Sequence, residues 1–255
     1  WTGPLAVWTS SKKSAPVGQG AAINPNQSLW VEYASQTHSI GTSATLTLAV
    51  DDLATTTTAS DQVVFHSFQS EVIVIGGNTQ DPRRVGDPNL GIFTIGATLY
   101  DRGYDVQLFA HNQISSTGRG AAYNEVVNAV LKRNVDNVAI LGYSWGGGAT
   151  YELAAGLKSN AALATAGYKL QYTAYVDGIR HNSIVAETRL PVGTKFHDNF
   201  YQRNDFWLKG NAVAGANNVN VTTTDWGKSL THTTVDDNAT LQSLLVNSLA
   251  TRIVA

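Results

Sequence analysis

The sequence VAILGYSWGGGATYEL, residues 138–153, decides the fold because it joins a strand to a helix through a sharp turn. Its first four residues are a short apolar run, which is typical of a buried strand. A Gly-x-Ser-x-Gly pattern centred on Ser144 follows, and the residues after it favour a helix. In this pattern Gly142 and Gly146 remove the side chains that would collide across the strained turn. The stretch therefore predicts a strand that ends in an exposed turn with Ser144 at its tip.

Strand and helix patterns alternate from residue 71 to the end of the chain. Short apolar runs alternating with amphipathic segments predict an α/β protein with a mostly parallel central sheet and helices on both faces. The expected strands are Val72–Ile75, Val106–Ala110, Val138–Leu141, Leu170–Val176, Phe196–Tyr201 and Asn218–Thr223. The expected helices are 89–102, Ala121–Lys132, Ala149–Leu157 and 238–252.

The first sixty residues have a different pattern, which indicates strands and loops. Leu29–Tyr33 and Ala44–Val50 are the expected strands, the second because apolar residues alternate with small or polar ones. No linker and no internal repeat separates this segment from the rest. We therefore predict one domain over residues 1–255, with residues 1–60 as a β and extended segment packed on it.

Composition excludes several classes of function. A net charge of −2 offers no basic surface for nucleic acid, and no apolar run approaches the roughly 18 residues of a membrane-spanning helix. The chain has no cysteine, which excludes thiolate chemistry, and its histidines lack metal-ligand spacing, so we expect no metal and no cofactor. The absence of methionine, the start at Trp1 and the many threonines and asparagines favour a processed, secreted protein.

A serine hydroxyl becomes a good nucleophile only beside a general base, which is usually a histidine. His232 is the best candidate because it lies between the last predicted strand and the last predicted helix. His181 and His197 come earlier in the chain, and we expect structural roles for them. The spacing thus pairs Ser144 with His232.

The acidic residue that orients the histidine has more than one candidate. Asp177 directly follows a predicted strand, so its carboxylate would emerge at the carboxyl edge of the sheet, where ligand chemistry gathers in α/β proteins. Asp205 follows the next predicted strand, and Asp225 is more distant. We favour Asp177 and leave Asp205 open. Asp236 and Asp237 are expected to cap the last helix.

Two backbone N–H groups should stabilise the oxyanion that forms during acyl transfer. One belongs to Trp145, the residue after the serine, and we assign the other to Asn78, in the loop after the first parallel strand. Aromatic residues that could contact the substrate are Trp145, Phe200 and Tyr201, although for Phe200 and Tyr201 an ordinary core position is the favoured alternative. Phe206 and Trp207 are further candidates.

These motifs resemble the α/β-hydrolase superfamily, in a lipase- or esterase-like branch, over about residues 70–250. The resemblance lies in Val72–Asn78, Gly142–Gly148, Thr173–Gly178, Asn199–Gln202 and His232–Asp237. It implies the α/β-hydrolase fold, with Ser144 as nucleophile, His232 as base and Asp177 as acid. Two features depart from the pattern: the oxyanion loop has no His-Gly-Gly-Gly run, and no apolar cap helix is evident between Asp177 and His232.

Two functions of different class follow. The first is a serine hydrolase that cleaves a carboxylic ester, with a small-molecule or lipid ester as substrate. The second is a non-catalytic secreted surface or filament protein that uses the hydrolase fold as a scaffold, since fold does not fix function. The order Ser, Asp, His favours the enzyme, and the sequence leaves the ester and the oligomeric state open.

Overall fold

The structure is a computed structural model that describes residues 5–24, 26–33, 43–52, 57–66, 68–82 and 90–254. Its internal contacts divide the chain into two units, Trp1–Phe68 and Gln69–Ala255. Each unit has its own core. The prediction of one domain, with residues 1–60 packed on the rest, concerns the placement of the two units and stays a prediction.

The smaller unit contains two antiparallel sheets. Strands β1 (Leu5–Trp8), β2 (Pro16–Val17) and β3 (Trp30–Tyr33) form one, and β4 (Ser43–Asp52) and β5 (Thr57–His66) form the other. Leu5 and Val7 of the first sheet share a small core with Ala44 and Leu46 of the second. The segment is therefore a β structure, as its alternating pattern predicted.

Six parallel strands form the sheet of the larger unit. They are β6 (Ser70–Gly76), β7 (Asp105–Ala110), β8 (Asn137–Tyr143), β9 (Lys169–Val176), β10 (Phe196–Tyr201) and β11 (Asn217–Asn220). Their order across the sheet is β11-β10-β9-β8-β6-β7. The predicted parallel sheet is confirmed. The last strand ends three residues early, because the side chain of Asn220 accepts the N–H of Thr222 and starts a 3-10 turn.

Helices cover both faces of this sheet. They are α1 (Gly91–Asp101), α2 (Ala121–Arg133), α3 (Trp145–Lys158), the short α4 (Ala161–Thr165) and α5 (Ala239–Ala250). On β6, Val72 and Val74 belong to the core with α1 and α5, while Ile73 and Ile75 belong to the core with α2 and α3. Because both faces are buried, the strand is apolar throughout, and each such side chain contributes about 1.5–3 kcal/mol by leaving water.

The strands that follow β6 in the chain lie on opposite sides of it in the sheet. The chain runs from β6 through α1 to the edge strand β7, returns through α2 to β8 on the other side of β6, and then continues outward to β11. The carboxyl ends of β6 and β8 therefore border a topological switch point, which is where open α/β sheets bind ligands. Residue 144 lies directly at this point. No helix in the described part of the chain is long and apolar enough to cross a membrane.

Candidate active site

Ser144 lies on a strained turn between β8 and α3. Its backbone angles are φ 53° and ψ −123°, a region that residues other than glycine seldom adopt. Gly142 and Gly146 permit the turn, because a Cβ atom on Gly142 would lie 2.1 Å from the carbonyl oxygen of Gly146. The strain fixes Ser144 at the amino end of α3, as the Gly-x-Ser-x-Gly pattern predicted.

Three consecutive glycines let the first turn of α3 lie against the end of β6 and the loop after β9. A Cβ atom would come within 2.3 Å of Ile75 O at Gly146, within 2.7 Å of Gly178 Cα at Gly147, and within 2.1 Å of His181 N at Gly148. The end of β6 and the loop after β9 therefore meet at this turn.

Ser144, His232 and Asp177 form a continuous hydrogen-bonded chain. Ser144 Oγ lies 2.7 Å from His232 Nε2, and His232 Nδ1 lies 2.7 Å from Asp177 Oδ2. Because an ionised carboxylate can only accept, His232 Nδ1 carries the proton and Nε2 accepts the serine O–H. The three side chains that the sequence analysis selected are thus brought together, in the order that activates a serine.

The carboxylate of Asp177 is fully buried and receives three further hydrogen bonds. Its Oδ1 accepts the backbone N–H groups of Gln202 at 3.1 Å and Gly210 at 2.6 Å. Its Oδ2 accepts Gln202 Nε2 at 2.9 Å in addition to His232. Hydrogen bonds of this kind stabilise a negative charge away from water. Gln202 has no signature in the sequence beyond its place at the end of a strand, and its role was missed.

Asp205, the alternative acid, contacts the backbone of His232 rather than its ring. One of its carboxylate oxygens accepts the His232 N–H. Tyr143 fixes the same residue from the other side, since its hydroxyl donates to the His232 carbonyl oxygen at 2.5 Å. Burial raises the pKa of Tyr143 well above its usual value, so this hydroxyl stays a donor. Asp205 and Tyr143 together fix the position of the imidazole.

The loop after β6 lies directly beside Ser144. A Cβ atom on Gly77 would be 2.8 Å from the Cβ of Ser144, so only glycine permits this approach. The next residue, Asn78, is exposed. Within the described residues, the backbone N–H groups of Asn78 and Trp145 have no hydrogen-bond acceptor. Both groups predicted for the oxyanion site are therefore available to a ligand.

A buried carboxylate anchors this loop. Asp236 Oδ2 accepts Gln80 Nε2 at 2.9 Å, and Gln80 Oε1 accepts the N–H of Gly77 at 3.0 Å. Asp236 Oδ2 also accepts the N–H of Ile92 in the first turn of α1, at 3.2 Å. Burial, with Asp237 nearby, raises the pKa of Asp236 to about 7.

The expectation that Asp236 caps the last helix was wrong. Asn238 is the N-cap of α5, accepting the N–H groups of Thr240 and Leu241 at 3.1 Å each. Asp236 contacts α1 instead, 144 residues away in sequence. The sequence favoured α5 because Asp236 lies just before it in the chain, whereas the contact with α1 leaves no pattern in the sequence.

The aromatic residues predicted for substrate contact have different surroundings. Phe200 is 3% exposed and belongs to the core between the sheet and α5, which fits the core alternative rather than a pocket wall. Tyr201 is half-buried, with Arg203 over its ring. Trp145 is also half-buried and donates its indole N–H to Ser183 O at 2.6 Å. Phe206 and Trp207 are 78% exposed and lie next to Asp205 in sequence.

Two other features were tested as sites. Among the residues that the structure describes, no group of three or more His, Asp or Glu side chains is arranged to hold a metal ion. A surface cavity of about 310 Å³ lies at the amino-terminal edge of the sheet, lined in part by Lys158, Tyr168, Lys169 and Lys195. That edge is opposite to Ser144, so the cavity is separate from the triad.

Comparison with known proteins finds no relative: no protein-family model, no curated protein and no solved structure matches the chain significantly. The established description is therefore an α/β protein whose Ser144, His232 and Asp177 are hydrogen-bonded in series.

Proposed function

We propose that this protein is a serine hydrolase with the α/β-hydrolase fold, which cleaves a carboxylic ester through an acyl-enzyme intermediate. The observation that carries the proposal is the series of two 2.7 Å contacts from Ser144 Oγ through the His232 ring to Asp177. The strained turn and the switch point add support, because they bring the serine to the edge of the sheet where ligands bind.

In the first half of the reaction, Ser144 Oγ attacks the carbonyl carbon of the ester while its proton moves to His232 Nε2. The tetrahedral intermediate collapses, the bond from carbon to the alcohol oxygen breaks, and the imidazolium gives its proton to that oxygen. Asp177 stabilises the imidazolium and holds the Nδ1 proton in place throughout, so that the proton on Nε2 is the one transferred. The products of this half are the free alcohol and an acyl group on Ser144.

In the second half, water attacks the acyl carbon with His232 as general base, and the acid leaves as Ser144 Oγ recovers its proton. The negative charge on the carbonyl oxygen in both intermediates is stabilised by the N–H groups of Trp145 and Asn78. Each such donor contributes about 10²–10³-fold to the rate in comparable sites. The Trp145 group lies at the positive end of α3, which adds to the same effect.

The substrate class that we propose is a small-molecule or lipid ester, with Trp145 and Tyr201 as contact residues. Phe206 and Trp207 offer an exposed apolar surface beside Asp205. Secretion stays a prediction from composition. The scaffold function has no contact of its own in its favour, and it becomes the conclusion only if the serine proves unreactive.

The test is labelling with a fluorophosphonate, which phosphonylates only an activated serine. We expect the intact chain to label, and Ser144→Ala and His232→Ala not to label. Ser243→Ala, which changes an exposed serine of α5, is the matched control and should label like the intact chain. Hydrolysis of p-nitrophenyl esters of increasing chain length then defines the acyl preference. A folded intact chain that does not label would refute the hydrolase and leave the scaffold.

A further inference from the structure

A second carboxylate–histidine pair lies at the same edge of the sheet, outside the triad. Glu152 belongs to α3, two turns after Trp145, and His181 belongs to the loop after β9. Glu152 Oε2 lies 2.6 Å from His181 Nδ1, and the His181 side chain is only 3% exposed. Gly148 makes the pair possible, because a side chain there would collide with the backbone of His181.

The pair continues to a third residue. His181 Nε2 lies 3.1 Å from Nδ1 of His111, the first residue after β7. Glu152, His181 and His111 are called the histidine relay below. Since an ionised Glu152 can only accept, His181 carries its proton on Nδ1 and its Nε2 accepts. His111 must then donate from Nδ1, which leaves a lone pair on its Nε2.

Burial keeps His111 uncharged at neutral pH. Burial, together with the facing ring of His181, lowers the pKa of His111 to about 4. The ionisable groups linked to His111 through the relay are His181 and, beyond it, Glu152. At neutral pH His111 Nε2 is therefore a hydrogen-bond acceptor with a fixed orientation.

His111 lies next to the proposed active site. Its ring packs edge-on against the indole of Trp145, with ring centroids 5.0 Å apart and an angle of 76°. Trp145 directly follows the nucleophile. In the described part of the chain Nε2 of His111 has no hydrogen-bond partner, and it is not one of the fully buried polar atoms. This nitrogen therefore has surface open to solvent, on a ring that packs against Trp145.

We propose that His111 Nε2 is a substrate-binding group that accepts a hydrogen bond from a hydroxyl carried by the ester close to its carbonyl group. The inference rests on the proposed function of Ser144, and it narrows the substrate class to hydroxylated esters. His181 and Glu152 are positioning residues, which act only through the tautomer and orientation of His111. One added hydrogen bond of this kind is expected to improve affinity about threefold to tenfold.

The experiment uses the full chain with Ser144→Ala, labelled with ¹⁵N in its histidines, so that esters bind without turnover. In the free protein, we expect His111 to show a protonated Nδ1 and an unprotonated Nε2. Titration with the methyl esters of 2- and 3-hydroxybutyrate should shift the His111 Nε2 resonance saturably for at least one ester. Methyl butyrate, which lacks the hydroxyl, should not shift it.

Two variants test whether the preference for hydroxylated esters depends on His111. His111→Phe retains a ring against Trp145 but lacks both nitrogens. In this variant the affinity for the hydroxylated ester should therefore fall to about the affinity for methyl butyrate. Asn112→Ala changes an exposed neighbour in the same 3-10 turn and should leave the preference intact. The His197 resonance is the internal reference, because that ring is buried against Tyr175 in the sheet.

A protonated Nε2 on His111 in the free protein, or equal responses to hydroxylated and plain esters, would overturn the inference. Fluorophosphonate labelling of the chain with Ser144 intact separates this failure from that of the proposed function. Labelling without a His111 response refutes only the binding role. A His111 response without labelling supports the binding site and refutes the hydrolase.

Discussion

The two carboxylate–histidine pairs at the carboxyl edge of the sheet have almost the same geometry. Asp177 meets His232 Nδ1 at 2.7 Å, and Glu152 meets His181 Nδ1 at 2.6 Å. They differ at the far nitrogen, which contacts a serine hydroxyl in the first pair and a second imidazole in the other. A carboxylate–histidine pair by itself therefore determines only which ring nitrogen carries the proton. Nucleophilic chemistry needs in addition a hydroxyl on a strained turn with free backbone N–H groups beside it.

The largest effects are expected at the nucleophile and its base. Ser144→Ala and His232→Ala should each lower kcat/KM for p-nitrophenyl butyrate by about 10⁴-fold or more, because the members of a triad act as a unit. His181→Phe should lower it by less than about tenfold, since that ring contacts no reacting atom. Steady-state rates of the purified variants measure this. Equal losses in His181→Phe and His232→Ala would end the distinction between the two pairs.

The carboxylates sharpen the comparison. Asp177→Asn should cost about 10³–10⁴-fold in kcat/KM, because an amide does not stabilise the imidazolium or hold its tautomer. Asp205→Asn should cost about tenfold at most, since the amide oxygen can still accept the His232 N–H. Glu152→Gln should cost less than either. If Asp205→Asn were the more damaging of the two aspartate variants, Asp205 would be the acid.

The anchor of the oxyanion loop should have an intermediate effect. Gln80→Leu breaks the connection from Asp236 to Gly77, and we expect kcat to fall about 10–100-fold with little change in KM, because the loop acts on the charge of the transition state. Gln242→Leu is the matched control, since Gln242 also contacts Asp236 but only through the backbone oxygen, at 2.8 Å. A rise in KM with unchanged kcat would show that the loop binds the ground state instead.

A further carboxylate, Glu71, lies at the opposite edge of the sheet and contacts an arginine instead of a histidine. Glu71 is fully buried in β6, and its Oε2 has no hydrogen-bond partner among the described residues, while Oε1 lies 3.2 Å from Arg133. Burial, only partly offset by Arg133, raises the pKa of Glu71 to about 8. The pKa of Glu71 is higher in the folded state than in the unfolded state, so the folded state binds the proton more tightly. The stability that this proton contributes is lost as the pH rises through 8.

We therefore expect the free energy of unfolding to fall between pH 6.5 and 8.5, and to fall by about 2 kcal/mol less in Glu71→Gln. His111 and His197 have pKa values lowered to about 4, so their effect has the opposite sign and acts below pH 6.5. Asp236 adds to the slope equally in both proteins. Urea unfolding at several pH values gives the result, and parallel curves for the two proteins would contradict it.

Much of the fold could be predicted from the sequence because its signals are local. The apolar run before Gly142 and the glycines after Ser144 define the turn within a few residues, and the positions of His232 and Asp177 follow from the ends of predicted strands. Gln202, Asp205 and Asp236 act through contacts across 25 to 156 residues, which no periodicity reports.

The histidine relay was missed for the same reason. Its three residues are isolated in sequence, separated by 70 and 29 positions, and meet only because β7 and β9 end, and α3 begins, at one edge of the sheet. Phe200 shows a related limit, since an aromatic residue at a strand end can be a core residue or a pocket wall until its neighbours are known.

The three glycines at the start of α3 limit how this protein can be re-engineered. Gly146 lies against the end of β6, and Gly147 and Gly148 lie against the loop after β9, so any side chain there would move the serine together with these segments. Libraries that aim at new substrates should leave residues 146–148 fixed. Diversity belongs instead in the exposed positions around the edge, such as Ile184, Phe206 and Trp207, whose side chains extend into solvent.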